Sequence, residues 1–397
     1  MITISKHILL KAKKVHVNEL SKQIEFKVRV IDTALNYLNL KGQKHEVENL
    51  EKALKALNGD FNIICSTLNW FIRKQKKKEK IKIVGWDTLD NFFISTNYRV
   101  PFTNDIIDEI RRCTSYFDRT KTEALLGAMP KDLINVQVKN FDTFSLVQNA
   151  YTEKEIRGLL INFLFNYASF RNKTKKYDAY QLTKNLNTES CLYCNRSHAN
   201  TVTNGKIKII RPELDHFFPQ HKYAILALSF YNLIPSCHTC NSNLKGDEEF
   251  NLDDYFHPYL ESFDDYDVLF KYRPLNEKDF FPSIDDNLKV KLITHHLKAP
   301  LKNTIDNNIK IFELNYIYTS HELLIKQLQK LKRNSNKKYL DAIRTKVLVK
   351  KDGSPRYLDN KAVYEIVMLN YYKPSEYHKR PMAKFIKDIS IDLKLIS

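Results

Sequence analysis

Apolar residues recur at helical spacing through much of the first 150 residues. Residues 18–41 carry one such stripe, which consists of Leu20, Ile24, Val28, Ile31, Leu35 and Leu38. A second stripe begins at Val47 and ends at Asn58-Gly59, a pair typical of helix C-termini. We therefore predict a helical N-terminal domain over residues 1–150, which binds a partner or nucleic acid.

Helical spacing continues into a connecting segment, residues 151–185. Thr152 and Glu155 have the spacing of a capping box, and apolar residues follow at intervals of three and four. The polar, basic stretch 171–180 then indicates a boundary. Residues 186–262, which are rich in Cys, His, Asn and Pro, form the next predicted domain.

The last part of the chain, residues 263–397, mixes two periodicities. Residues 268–272 and 288–294 alternate apolar and polar side chains, which predicts strands. Residues 345–359 are expected to form a hairpin around Asp352-Gly353. Helical spacing returns after Thr319 and near the end of the chain. The predicted fold class is thus α+β and mainly α-helical, with a C-terminal α/β region.

The charge balance favours an anionic partner. The 397 residues include 64 Lys and Arg against 46 Asp and Glu, a formal net charge of +18. Nucleic acid and a membrane surface both fit this excess. The basic run at residues 73–82 is either a solvated surface or a phosphate-contacting patch. The 8 glycines never cluster, which excludes a P-loop and a dinucleotide-binding turn.

The location of the protein is predicted from two missing signals. Residues 1–14 lack the apolar core and cleavage site of a signal peptide. The sequence contains no uninterrupted apolar stretch of about 18 residues, the length that a membrane-spanning helix needs. We therefore expect a cytoplasmic protein without a membrane partner, in which disulfides do not form.

Four of the 6 cysteines form two pairs, Cys191-x-x-Cys194 and Cys237-x-x-Cys240. A two-residue gap lets both thiolates of a knuckle face one ion, and two knuckles complete a tetrahedral shell. The pattern predicts a structural zinc site with no open position for chemistry, and the alternative is four free thiols. The remaining pair, Cys65 and Cys113, is interpreted as core.

Polar residues between and after the knuckles match the needs of phosphodiester hydrolysis. Asp215-His216 ends a predicted strand ahead of Pro219, and Asn241 directly follows the second knuckle. A hard divalent cation prefers oxygen ligands, which Asp215 and Asn241 supply. His216 has the side chain best suited to take a proton from water near neutral pH.

This pattern resembles the HNH (His-Asn-His, ββα-metal) endonucleases, in particular those with two zinc-binding knuckles. The residues that carry the resemblance are Cys191, Cys194, Asp215, His216, Asn232, Cys237, Cys240 and Asn241. It implies a central ββα-metal unit over residues 186–262, stabilised by the four-cysteine zinc site. Asn occupies the last family position, where His is more common.

The resemblance also implies a role for each matching position. His216 is the general base, and Asp215 and Asn241 bind a catalytic Mg²⁺ or Mn²⁺. Asn232 fixes the loop and orients His216. Asn243 is an alternative ligand to Asn241, since Lys245 lies one residue later than the family spacing.

Three further residues are assigned, two of them with an alternative. His257 is either an additional ligand of the catalytic ion or a structural histidine. Lys245 either contacts a phosphate or caps the solvated side of its helix, and Arg211 is a candidate contact to the nucleic-acid backbone.

Two functions remain open: a metal-dependent nuclease acting on DNA, with RNA as the alternative substrate, and a non-catalytic zinc-ribbon adaptor. Similar chains often belong to bacterial anti-phage or restriction systems, and some of them work beside an ATPase. By this analogy, we expect a protein partner such as an ATPase for this chain as well.

Overall fold

The computed structural model describes residues 1–37, 44–72, 83–87, 104–138, 153–172, 176–274, 288–334, 342–347, 353–354 and 358–395. The basic run at residues 73–82 lies outside these ranges. The described chain is mixed α/β and mostly helical, which confirms the predicted class at that level. Within the described ranges, no helix combines the length and the apolar character needed to cross a membrane.

Helices dominate both ends of the chain. In chain order they are α1 (Lys6–Tyr37), α2 (Lys44–Ala56), α3 (Phe61–Ile72), α4 (Asn104–Tyr116), α5 (Arg119–Gly127), α6 (Pro130–Val138), α7 (Glu153–Leu164), α8 (Tyr167–Phe170), α9 (Ala179–Leu186), α10 (Leu301–Ile311), α11 (Leu314–Thr319), α12 (Glu322–Asn334), α13 (Asn360–Met368) and α14 (Ala383–Asp392). A π-helix, Thr239–Lys245, follows the second cysteine pair.

The described strands pair as three antiparallel two-stranded sheets. The strands are β1 (Val202–Asn204), β2 (Ile207–Ile210), β3 (Glu213–His216), β4 (Leu233–Ser236), β5 (Phe270–Pro274) and β6 (Leu288–Leu292). In the second sheet, Asp215 pairs with Ile234 and His216 with Leu233. The strands predicted at 268–272 and 288–294 are confirmed as β5 and β6.

The chain divides into two compact units. The first comprises residues 1–12, 178–217 and 233–397, and the second comprises residues 13–177 and 218–232. Residues 263–397 therefore belong to the same unit as most of the segment 186–262, although the difference in composition had predicted two separate domains. The reason is local: the first knuckle is held by the C-terminal segment, since the Asn195 amide nitrogen donates to the carbonyl oxygens of Tyr377 and Arg380.

The core of the first unit lies around β5 and β6. Leu288, Val290 and Leu292 alternate with lysines and are buried, as expected for a strand with one covered face. Helices α11 and α14 cover this sheet, and the Tyr318 ring lies 4.3 Å from Phe270 and 4.8 Å from Phe385.

The core of the second unit is helical, with α4 packed on α7. It also encloses a histidine: His16 is fully buried, with Nε2 2.8 Å from the Leu228 carbonyl oxygen and Nδ1 3.1 Å from the Tyr177 hydroxyl. Burial lowers the pKa of His16 to about 4. These two bonds compensate for removing a polar ring from water.

Two predicted elements differ from the structure. Helix α1 begins at Lys6, twelve residues before the predicted stripe, because the buried face includes the polar His16 and so escapes an apolar pattern. The predicted hairpin at 345–359 is wrong at its start, since Ile343–Val347 is a π-helical turn. Ile343 and Val347 have helical spacing, and short apolar segments do not distinguish helix from strand.

Candidate metal centre and active site

The four paired cysteines converge on one point. The Sγ atoms of Cys191, Cys194, Cys237 and Cys240 all lie within 4.8 Å of one another, and no disulfide joins them. The Sγ atoms of Cys194 and Cys237 are 4.0 Å apart. A tetrahedral zinc–thiolate shell, with bonds of about 2.3 Å, separates its sulfurs by about 3.8 Å. The cluster can thus hold a structural metal ion such as zinc.

The first knuckle has the local geometry of a metal-binding turn. Asn195 has a φ of +51°, and its backbone N–H donates to the Cys191 carbonyl oxygen at 2.7 Å. The backbone N–H of Arg196 donates to the Cys194 sulfur at 3.4 Å. Asparagine tolerates this left-handed conformation better than most residues, which explains why it follows the second cysteine.

The environment of the thiols favours a bound cation. Burial raises the pKa of Cys191 well above its usual value. Hydrogen bonds from the neighbouring thiols, first among them Cys191, lower the pKa of Cys237. Four thiolates cannot lie this close without a positive charge between them, whereas a metal ion provides one and deprotonates its ligands.

The Asp215 carboxylate lies at the end of β3 in a closed network. Asp215 is 4% exposed; its Oδ1 accepts from the Lys245 ammonium at 2.8 Å and its Oδ2 from the Tyr193 hydroxyl at 2.5 Å. The Tyr193 ring is buried and stacked on Phe312. Burial, followed by the negative charge of Asp215, raises the pKa of Tyr193 well above its usual value, so the hydroxyl stays a donor.

Lys245 is the buried cation of this network. It is 5% exposed, and its ammonium also donates to the His216 carbonyl oxygen at 2.8 Å and lies 4.8 Å from the centre of the Phe250 ring. Both interpretations of the sequence had expected an exposed ammonium. A contact from Lys245 to a phosphate therefore requires that the pair with Asp215 open first.

His216 is the last residue of β3, as predicted. It is half-buried, it pairs in register with Leu233 of β4, and its carbonyl oxygen is held by Lys245. Adjacent residues of a strand point to opposite faces, so Asp215 and His216 can serve one site only where the strand ends or bends, and β3 ends at His216.

Asn241 contacts a carboxylate that the sequence analysis did not select. Its amide nitrogen Nδ2 donates to Glu213 Oε2 at 2.7 Å, and the hydroxyl of Ser242 and Nδ1 of His238 also contact this carboxylate. Burial acts to raise the pKa of Glu213, but these hydrogen bonds, led by that from Asn241, outweigh it and lower the pKa. Asn243, the alternative ligand, is exposed.

Asn232 belongs to the second unit, where it closes the loop 218–232. Its Oδ1 accepts from the Phe218 backbone N–H at 2.7 Å, and its Nδ2 donates to the carbonyl oxygens of Phe218 and Leu226. The side chain is fully buried. It therefore holds together the two ends of the loop that connects β3 to β4.

The two remaining candidates lie in the first unit. His257 is 3% exposed, its ring centre is 4.5 Å from that of Phe217, and its Nδ1 accepts from the Tyr259 backbone N–H at 3.2 Å. Arg211 donates from a guanidinium nitrogen to the Pro212 carbonyl oxygen, with the Tyr180 ring below the guanidinium. The proposed roles of both residues stay predictions.

Sequence reasoning missed Tyr193 and Glu213. Glu213 had a usable signal, because residues two apart on a strand share a face and Glu213 precedes Asp215 by two. Tyr193 lies between two cysteines and had no such signal.

Comparison of the chain with protein-family models, curated proteins and solved structures finds no match.

Proposed function

We propose that this protein is a metal-dependent endonuclease of the HNH type, which hydrolyses phosphodiester bonds in DNA. One observation carries the proposal: β3, antiparallel β4 and the helical turn Thr239–Lys245 bring Asp215, His216 and Asn241 onto adjoining elements beside the cysteine cluster. Two strands followed by a helical turn is the order that the resemblance implies. Contacts between β3 and this turn support a common site.

The donor set suits the chemistry of phosphodiester cleavage. A carboxylate from Asp215 and an amide oxygen from Asn241 are hard donors, which suit Mg²⁺ or Mn²⁺. Such an ion, when bound, stabilises negative charge on the phosphate and on the leaving oxygen. His216 accepts a proton from the attacking water, and the bond from Lys245 to its carbonyl oxygen restrains its backbone.

Asp215 has to exchange one cation for another in this proposal. Its Oδ1 is paired with the Lys245 ammonium, so a divalent ion at Asp215 replaces that ammonium rather than joining it. A cation is therefore already present where the resemblance calls for one. Asn232 closes the loop 218–232 by hydrogen bonds within that loop, and fixing the loop is the part of its proposed role that these bonds support.

Charge supports nucleic acid as the substrate class. The net charge of +18 favours a polyanion, and the backbone phosphate is the group that such a site attacks. DNA is the proposed substrate and RNA the alternative. A free nuclease endangers its host, so we further propose cytoplasmic action in anti-phage defence or restriction, with control by a partner such as an ATPase.

A second function is favoured by the closed network around Asp215. An adaptor built on a zinc ribbon does not need a side chain that is free to bind a catalytic ion. In such a protein, the contacts among Asp215, Lys245 and Tyr193 would serve only to join β3 to its neighbours. The satisfied hydrogen bonds of all three residues fit this role as well. The two functions differ in whether His216 is needed for cleavage.

Plasmid cleavage separates the two functions. Full-length protein is incubated with supercoiled DNA and with structured RNA, with and without Mg²⁺ or Mn²⁺. We expect metal-dependent cleavage by the wild type and a loss of about 10²- to 10⁴-fold for His216→Ala, because the general base is removed. His221→Ala, which replaces an exposed histidine, is the matched control and retains the rate. Equal cleavage by wild type and His216→Ala contradicts the nuclease function.

A further inference from the structure

We propose that Glu213 is the positioning residue for Asn241: its carboxylate holds the amide nitrogen, so that the amide oxygen is the atom presented to a divalent cation. The proposal rests on the proposed function, in which Asn241 is a ligand of the catalytic ion. The contact that carries it is the hydrogen bond from Asn241 Nδ2 to Glu213 Oε2 at 2.7 Å.

The chemistry of the two side chains determines the orientation of the amide. An asparagine side chain ends in a donor and an acceptor of nearly equal size, and only its oxygen binds a hard cation. An ionised carboxylate only accepts hydrogen bonds, so the nitrogen of Asn241 must face Glu213. Within the described part of the chain, Oδ1 of Asn241 accepts no hydrogen bond and remains available.

Glu213 is itself held in place by further contacts from the same segment as Asn241. Its Oε1 lies 2.8 Å from Nδ1 of His238, and the Ser242 hydroxyl donates to Oε2 at 3.1 Å. Its backbone is fixed by pairing with Ser236 of β4. The Glu213 carboxylate is therefore held in one orientation, and this orientation determines which way the Asn241 amide is turned.

The arrangement also relates Asn241 to Asp215. Glu213 and Asp215 lie two apart on β3 and share a face, and their partners Asn241 and Lys245 lie four apart on the helical turn. The i→i−5 bond from the Gly246 N–H to the Asn241 carbonyl oxygen marks this turn as π-type, which holds one residue more than an α-turn. The strand and the turn are thus joined by two neighbouring polar contacts.

The test measures binding of Mn²⁺ to the zinc-loaded, full-length protein by calorimetry. Four variants are compared with the wild type: Asn241→Ala, Glu213→Ala, the isosteric Glu213→Gln, and Glu261→Ala as a control at an exposed carboxylate. Zinc content by mass spectrometry shows whether each variant keeps its cysteine site. We expect Glu213→Ala to weaken Mn²⁺ binding about 10- to 100-fold, as is typical when a residue that orients a ligand is removed.

The other variants separate positioning from damage to the fold. Glu213→Gln keeps the size of the side chain but loses its charge, so it weakens Mn²⁺ binding less than Glu213→Ala. Zinc content stays at the wild-type value in both, and saturating Mn²⁺ restores their DNA cleavage, because the defect is in affinity. If Glu213→Ala loses its zinc, the Mn²⁺ affinity of Glu213→Gln is used as the test instead. Unchanged Mn²⁺ affinity in Glu213→Gln then overturns the proposal.

Two outcomes distinguish failure of this proposal from failure of the proposed function. Wild-type Mn²⁺ affinity in Glu213→Ala, together with loss in Asn241→Ala, overturns the positioning role alone. Wild-type affinity in Asn241→Ala removes Asn241 as a ligand and the positioning role with it, whereas the proposed function fails only if His216→Ala cleaves as well as the wild type. Cleavage by Glu213→Ala that stays low at saturating Mn²⁺ also contradicts a role limited to positioning.

Discussion

The cysteine cluster and the Asp215 network lie in the same unit and differ in how their buried charge is compensated. In the cluster, four thiols face one another, and a metal ion would supply the positive charge that four thiolates need. In the network, Asp215 already has its counter-charge in Lys245 and a second donor in Tyr193. The first region can therefore take a metal ion as its counter-charge, whereas the second contains a cation of its own.

This difference separates two kinds of evidence for a metal site. A set of ligands with no internal compensation indicates a bound ion by itself. A carboxylate that is already paired indicates an ion only if the pair can open. Three substitution experiments on stability, in order of decreasing effect, test how far this distinction holds, and they complement the cleavage and Mn²⁺ experiments above.

The largest effect is expected from Cys237→Ser. The variant loses its metal ion, and since structural zinc typically contributes about 10 kcal/mol of apparent folding free energy, the first unit unfolds at a much lower temperature. Zinc content and thermal unfolding measure both effects. Cys113→Ala removes a buried thiol of the second unit, outside the cluster, and should keep the zinc content of the wild type. Unchanged zinc in Cys237→Ser would exclude the cluster as a metal site.

A smaller effect is expected from Lys245→Ala. The substitution leaves the Asp215 carboxylate buried without a counter-charge, which costs about 3–5 kcal/mol of unfolding free energy. The double variant Asp215→Asn with Lys245→Met removes both charges at similar volume and should recover most of this loss. Denaturant unfolding of the wild type, Asp215→Asn, Lys245→Met and the double variant gives the coupling free energy. Purely additive changes would show that the two residues do not act as a pair.

The smallest effect is expected from Tyr193→Phe. Only the hydroxyl is lost, so the ring stays stacked on Phe312 while Oδ2 of Asp215 loses its donor, a cost of about 1–3 kcal/mol. Tyr255→Phe is the matched control, because its hydroxyl donates to Glu248 at an exposed position. A surface change of this kind typically stays within about 0.5 kcal/mol. Equal losses in the two variants would argue against a closed network at Asp215.

Local patterns predicted the elements better than their boundaries. The stripe that includes Val47, Leu50 and Leu54 became the buried face of α2, and the alternation near Leu288 became β6. Helix α1 was predicted too short because a buried histidine interrupts its apolar face. Helical and strand periodicities are read from apolar residues alone, so a polar residue with buried partners distant in sequence is invisible to them.

The candidate site shows the same limit. The sequence selected Asp215, His216 and Asn241, and β3, β4 and the helical turn place these residues on adjoining elements. It did not select Tyr193 or Glu213, and it expected an exposed Lys245. The hydrogen-bond partners of Asp215 lie 22 and 30 residues away along the chain, and that of Asn241 lies 28 residues away. Which of many polar side chains would meet them depends on strand register and on the π-turn.

The sequence by itself determined the two cysteine pairs, because a two-residue gap lets both sulfurs of a knuckle face one ion, and the fold brings the two pairs together. It also determined the amphipathic helices and the strand that ends at His216. Only the tertiary structure decided that Lys245 is buried against Asp215 and that Glu213 faces the Asn241 amide. Side chains with several polar atoms accept many partners, and packing of β3 against the helical turn selects one of them.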